Sequence, residues 1–167
     1  MPYAKLRAEL LAVREQRELR RVQTGQQSEQ TLVQLSLNLP GPDKQPAGTE
    51  QLFGWGLRQT LELLPLVESC SHGYDLLGPW ALLGTCEDAR QMKQQAVALE
   101  SSTPAGRLLD IDVYDHNGRQ LGRNELGLPA RTCLICNRPA VDCIRQQSHN
   151  FAALKVCIDD LLSAFRP

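Results

Sequence analysis

Between Thr31 and Leu39 the chain alternates cleanly: Val33, Leu35, Leu37 and Leu39 are apolar, while Gln34, Ser36 and Asn38 are polar. A period of two puts each set on its own face, so the pattern predicts a half-buried strand. Residues 3–23 carry a helical period instead, with Leu6, Leu10, Leu11 and Val13 on an apolar side. Arg7, Arg14, Arg17 and Arg21 recur at helical spacing on another side. "TGQQSEQ" (24–30) is a polar connector, and "PGPDKQPAG" (40–48) is a loop by its proline and glycine content. Helical spacing resumes over 49–64 through Leu52, Trp55, Leu57, Leu61 and Leu64, weakened by Gly54 and Gly56.

"GPWALLGT" (78–85) predicts a short buried strand. Thr85 is placed to cap a following helix through Leu99, with Glu87 and Asp88 in its first turn. "SSTPAG" (101–106) is a loop that leads into the apolar run "LLDIDVY". Asn117-Gly118 predicts a tight type I′ hairpin, with 119–122 as the return strand. An extended segment follows, and helices at 138–147 and 150–165 close the chain, with Asn137 as a cap and Pro139 in the first turn. Strands alternating with helices around one hairpin give a mixed α/β (α+β) class. The expected form is a single domain over 1–167, a small sheet with helices on one face.

Charge narrows the partners. Lys and Arg total 18 against 19 Asp and Glu, so no global field draws nucleic acid or anionic lipid. The charges of "MPYAKLRAELLAVREQ" are too closely spaced for the apolar centre of a signal peptide. No apolar run is long enough to span a bilayer. These features place the chain in the cytoplasm, where thiols stay reduced. The six cysteines then read as core residues or metal ligands rather than a disulfide framework.

Two places carry candidate chemistry. In "GRLLDIDVY" Asp110 and Asp112 share one face of a strand, roughly 7 Å apart, while Leu109, Ile111 and Val113 share the other. Like charges there repel unless the edge is solvated or a cation lies between them. Acid-apolar-acid on a strand is the arrangement with which nucleotidyltransferase-like enzymes hold Mg²⁺ against phosphates. The alternative is simply the polar face of an edge strand. Arg107 alternates to the opposite face, but a bend at Gly106 would aim it at the acids.

The second place is "RTCLICNRPAVDCIRQQSHN", with Cys133, Cys136, Cys143 and His149. Three thiols and an imidazole match the donor count of a structural zinc site. The spacing is less convincing: on an unbroken helix His149 lies roughly 240° around the axis from Cys143, and both could ligate one ion only if the helix ends before His149, which Ser148 makes possible. The four are therefore expected to pack near the sheet edge without closing on one Zn²⁺, leaving His149 available to a phosphate or a proton. Arg131 and Arg145 flank this segment and would suit a polyphosphate, as would Arg14 and Arg17, although exposed arginines are commonly just solvated.

Taken in order, "LLAVREQR", "GRLLDIDVY" and "LPARTCLICNRPAVDCIRQQSH" resemble the citrate lyase holo-acyl-carrier-protein synthase family, also called apo-citrate lyase phosphoribosyl-dephospho-CoA transferase. The resemblance spans nearly the whole chain and is most specific in its middle and end motifs. It implies a transferase that takes triphosphoribosyl-dephospho-CoA and joins it to a serine of the lyase's acyl-carrier subunit, releasing pyrophosphate. Under that reading Asp110 and Asp112 hold Mg²⁺, with Arg107 and His149 as further catalytic groups. Arg14, Arg17, Arg131 and Arg145 grip the substrate. Two rival readings are the corresponding transferase of malonate decarboxylase and a non-catalytic adaptor built on a zinc knuckle.

Overall fold

The alternating stretch becomes one of the two inner strands of a four-stranded sheet. The computed structural model describes residues 2–27 and 29–167, with side chains from Lys5 onward. Its elements are α1 (Pro2–Gln27), β1 (Thr31–Leu37), α2 (Thr49–Glu62), β2 (Ser69–Asp75) and β3 (Gly78–Thr85). They continue with α3 (Ala89–Ser101), β4 (Leu109–Tyr114), α4 (Ala140–Gln146) and α5 (Phe151–Ala164). The strand order is β2-β3-β1-β4, and every neighbouring pair is antiparallel.

The two faces of this sheet differ. Val33, Leu35 and Leu37 of β1 join Ala81 and Leu83 of β3 and Leu109, Ile111 and Val113 of β4 against Leu52 and Phe53 of α2. Met92, Ala96 and Leu99 of α3 and Ile158 and Leu162 of α5 complete that core. The opposite face holds a smaller apolar cluster of Leu32, Trp80, Leu82 and Tyr114. By strand alternation Asp110 and Asp112 lie on this second face, across β1 from Ser36 and Gln34.

The mixed class is the one expected, with one addition: α1 lies along the second face. The Arg20 guanidinium sits 4.5 Å from the Trp80 ring centroid, and that of Arg21 sits 4.1 Å from Tyr114. Cations over aromatic faces contribute about 1 kcal/mol each and let a largely polar helix pack on a sheet. Arg17 forks onto the Asp75 carboxylate at 2.8 and 2.6 Å and donates to the Gly78 carbonyl at 2.8 Å, tying α1 to the β2–β3 hairpin.

Strand β4 is an edge, and α3 closes it. The Ile111 N–H donates to Glu100 Oε1 at 3.1 Å, and Lys93 Nζ donates to the Ile111 carbonyl at 2.7 Å. Leu121 N–H donates to the Val113 carbonyl at 2.8 Å. The ladder groups that an edge leaves open are thus met from within the chain.

Several boundaries differ from the sequence expectation. Helix α3 starts later, because Asp88 caps it by accepting from Gln91 N–H at 2.8 Å, while Thr85 Oγ1 donates to the Leu66 carbonyl. The turn after β4 is not type I′, since Asn117 keeps a negative φ and only Gly118 (φ 77°) is left-handed. Asp115 Oδ1 accepts from both Asn117 and Arg119 N–H and fixes the wider loop, as expected for a type I turn followed by a left-handed glycine. The return strand is reduced to a bridge between Tyr114 and Gln120. Strand β2, "SCSHGYD", is one the sequence pattern does not mark, because a half-exposed edge strand carries no apolar alternation.

Gly56 faces the core, and a Cβ built there would meet Leu109 Cδ2 at 2.6 Å, whereas one at Gly54 meets nothing nearer than Arg58 at 3.8 Å. Leu109 is fully buried and has no room to shift. Urea denaturation of Gly56→Val should therefore show a loss of about 2 kcal/mol from overpacking. Gly54→Ala should gain up to about 1 kcal/mol from helix propensity alone.

Candidate functional site

Beside the edge of β4 the chain folds into an open cleft of about 950 Å³. Arg14 of α1, Lys44 of the loop after β1, Arg107, Arg123 and Arg131 line it, with Glu100 at its base. Glu100 is only 3% exposed and receives two guanidinium groups, Arg123 Nη2 at 2.5 Å and Arg131 Nη2 at 2.7 Å. Both contacts are charge-assisted, and the same carboxylate also accepts from the Ile111 N–H. Arg131 reaches further, to within 3.4 Å of Asp110 Oδ1, so one guanidinium joins the cleft to the acidic face of β4.

The two acids sit side by side as expected from alternation. Gln120 Nε2 donates to Asp112 Oδ1 at 2.7 Å. Burial, and after it the neighbouring Asp110 charge, push the Asp112 carboxyl above the usual range, against the pull of Lys93. The pair offers only oxygen donors, the ligand type that suits a hard cation. Within the cleft, burial and then the Arg14 charge lower the pKa of Lys44, which donates to the Leu39 carbonyl at 2.5 Å.

The remaining expected site residues are distributed differently. Arg107 does not turn toward the acids; its Nη2 donates to the Cys133 carbonyl at 2.6 Å and to Thr132 Oγ1 at 3.2 Å. Arg17 is engaged with Asp75 on the far hairpin. Arg145 stands exposed on α4 and does not line the cleft.

His149 is the principal correction. The donor atoms of Cys133, Cys136, Cys143 and His149 all lie within 4.8 Å of one another, so the four could hold a metal ion such as zinc. No unbroken helix carries His149 away from Cys143: α4 ends at Gln146, and Gln147 adopts φ 49°, ψ 42°. That left-handed residue reverses the chain and returns His149 to the thiols. Upstream, Cys133 N–H donates to the Arg138 carbonyl and Ala140 N–H to the Arg131 carbonyl, both at 2.8 Å, which closes residues 131–140 into a hairpin. Cys136 and Cys143 Sγ are 3.5 Å apart. The Arg138 backbone N–H leads the groups that lower the Cys136 thiol to about 6, while burial raises Cys143 to about 11. Burial also raises the pKa of the Cys157 thiol, which lies outside the cluster.

Glu100, Lys93, Arg123 and Lys44 escaped the sequence reading. A signal existed for the first two: Lys93 and Glu100 are seven apart and share a helix face with Ala96 and Val97, so charge recurs in core phase. Arg123 and Lys44 sit in loops with no periodicity to mark them.

The sequence profile of the family described as apo-citrate lyase phosphoribosyl-dephospho-CoA transferase matches residues 6–165. A protein of that name from Escherichia coli O139:H28 is 31% identical over 159 residues, covering 93% of this chain and 87% of its own. One from Shigella boydii serotype 18 shows the same identity and coverage. A probable enzyme of that name from Vibrio cholerae serotype O1 is 32% identical over 135 residues, covering 78% of this chain and 76% of its own. Among the described residues, no helix is long and apolar enough to cross a membrane.

Removing the charge of Glu100 leaves two part-buried guanidinium groups short of their counterion. Glu100→Gln keeps an acceptor for the Ile111 N–H and should cost about 2 kcal/mol, below the figure for a fully buried pair because both arginines retain some solvent. Chemical denaturation at neutral pH measures it.

Proposed function

This chain belongs to the apo-citrate lyase phosphoribosyl-dephospho-CoA transferase family, and we propose that its nucleotide site is the junction between the acidic face of β4 and the arginine-lined cleft. The protein is a transferase that acts on apo-citrate lyase. In our reading the acceptor is a serine of the lyase's acyl-carrier subunit, and the donor is triphosphoribosyl-dephospho-CoA. The serine hydroxyl oxygen attacks the α-phosphorus and gives up its proton to water, a phosphodiester forms, and pyrophosphate departs with the electron pair of the broken P–O bond. The family match over residues 6–165 supports one transferase domain spanning residues 1–167. Six free cysteines suit the reducing cytoplasm.

The observation that carries the site is the reach of Arg131 between Glu100 and Asp110, because it joins a cationic cleft to paired carboxylates. A triphosphate bears several negative charges, and Arg14, Lys44, Arg107, Arg123 and Arg131 converge where they would lie. Guanidinium forks match planar phosphate oxygens and hold them in a fixed orientation. Glu100 keeps Arg123 and Arg131 extended before substrate arrives, so little side-chain freedom is lost on binding. Asp110 and Asp112 would hold Mg²⁺, whose chemistry there is to neutralise charge on the phosphate oxygens. Arg17 and Arg145 stand apart from this junction, and we assign them no contact with the nucleotide.

The test is direct: incubate apo-carrier, the triphosphoribosyl nucleotide and Mg²⁺, then weigh the carrier. Asp110→Asn and Asp112→Asn should each slow the mass gain at least about 100-fold while remaining folded. Arg131→Ala should raise the Kd for the triphosphate by about tenfold or more and leave carrier affinity unchanged. Near-normal transfer by either acid variant at saturating Mg²⁺ refutes the two-carboxylate site.

Asp112 also makes a stability prediction. Its folded pKa is raised, so the ionised form costs stability. That cost is absent below the ordinary carboxylate pKa and grows as pH rises through the native value. In Mg²⁺-free buffer, Asp112→Asn should therefore melt above the parent protein at pH 7, and the difference should fade toward pH 4. Added Mg²⁺ should raise the melting temperature of the parent and not that of the variant.

A further inference from the structure

We propose that Cys133, Cys136, Cys143 and His149 bind one structural zinc ion, and that this ion fixes the hairpin from which Arg131 enters the cleft. The metal half stands on the cluster itself. The positioning half rests on the reading of the cleft as the polyphosphate site.

Four observations support the metal. The donor atoms lie within 4.8 Å of one another, and the Cys136–Cys143 sulfur separation of 3.5 Å is close to the roughly 3.8 Å spanned by tetrahedral Zn–S bonds. His149 Nε2 is buried and, among the described residues, finds no hydrogen-bond partner, which is costly for a polar atom unless a ligand takes its lone pair. The Ile135 N–H points at Cys133 Sγ from 3.5 Å, an orientation that stabilises charge on sulfur. Finally, the left-handed turn at Gln147 spends conformational strain to bring His149 back.

The donor chemistry selects the ion. Three thiolates and an imidazole suit Zn²⁺ rather than Mg²⁺, which prefers oxygen. Four protein ligands complete a tetrahedron and leave no position for substrate, so the site is structural and not catalytic. Binding displaces the three thiol protons and uses the neutral imidazole, which leaves the centre with one net negative charge. The Arg138 guanidinium beside Cys136 offsets that charge.

The link to the cleft is short. Arg131 lies two residues before the ligand Cys133, and its carbonyl accepts from Ala140 on the other arm of the hairpin. Arg107 holds the Cys133 carbonyl at 2.6 Å. An ion between the arms therefore fixes the point from which the Arg131 side chain departs toward Glu100 and Asp110. The assignment also gives His149 a role that removes it from proton transfer.

The experiment uses the full chain, purified without added metal. Atomic absorption should find about one zinc per chain, and exchange for Co²⁺ should give the intense visible bands of a tetrahedral thiolate site. Cys143→Ser and His149→Ala should lose the metal. Should they fail to fold, His149→Cys keeps a four-ligand set and should retain both zinc and fold. With inorganic pyrophosphate as probe, stripping the zinc with chelator should weaken binding at least tenfold, while Asp110→Asn keeps its zinc. A folded protein with negligible zinc and no cobalt bands would overturn the metal site. So would an intact mass lower by two hydrogens, from a Cys136–Cys143 disulfide. Full zinc with pyrophosphate affinity indifferent to chelation would overturn the positioning role. Full zinc in a chain that binds no pyrophosphate before or after chelation would overturn that role together with the reading of the cleft, and leave the metal site standing.

Discussion

Glu100 carries a charge into the packed side of α3, and three separate segments answer it: the Ile111 N–H of β4, Arg123 from the loop after the hairpin, and Arg131 from the cysteine segment. A carboxylate this deep is tolerable only if its oxygens are fully engaged. That requirement sets the distance between α3 and the edge strand and anchors two otherwise irregular loops. Lys93, seven residues earlier, makes the matching contact to the Ile111 carbonyl, so a single β residue is gripped at both of its backbone groups. The edge strand that bears Asp110 and Asp112 is thereby a rigid mount rather than a fraying margin.

How much of this was legible depended on whether one segment contained the whole reason for its conformation. Strand β1 was readable because alternation alone decides which face is buried, and the same rule put Asp110 and Asp112 together. The N-cap of α3 lies three residues beyond Thr85, at Asp88, because Thr85 is drawn off to the Leu66 carbonyl by tertiary packing. The fate of His149 turned on one residue, Gln147, whose left-handed backbone no propensity favours. Arg107 and Arg17 were sensible candidates by chemistry, but their partners, the Cys133 carbonyl and Asp75, lie far away in sequence. Glu100 gave a signal in its helical phase, and only its recipients were hidden.

Hard and soft donors are segregated on this small scaffold. Carboxylates occupy the strand, where a period of two fixes their mutual distance. Thiols and the imidazole occupy a loop closed by backbone hydrogen bonds, where spacing along the chain matters less than the reversal that ends α4. Arg131 belongs by sequence to the second region and by its side chain to the first, so the two chemistries meet in one residue without sharing a ligand.

The sheet order has a further consequence, for the way the chain assembles. Strand β1 is the first to leave the ribosome, yet it lies between β3 and β4 and pairs with neither until much more of the chain exists. Its apolar row of Val33, Leu35 and Leu37 must wait, unsheltered, for partners that arrive from far downstream. Closing such distant pairings is slow, and the waiting strand is open to contact with other nascent chains. Gln34 and Ser36, which interrupt that row on the other face, are then also guards of solubility during synthesis, before they become neighbours of the acids they later face.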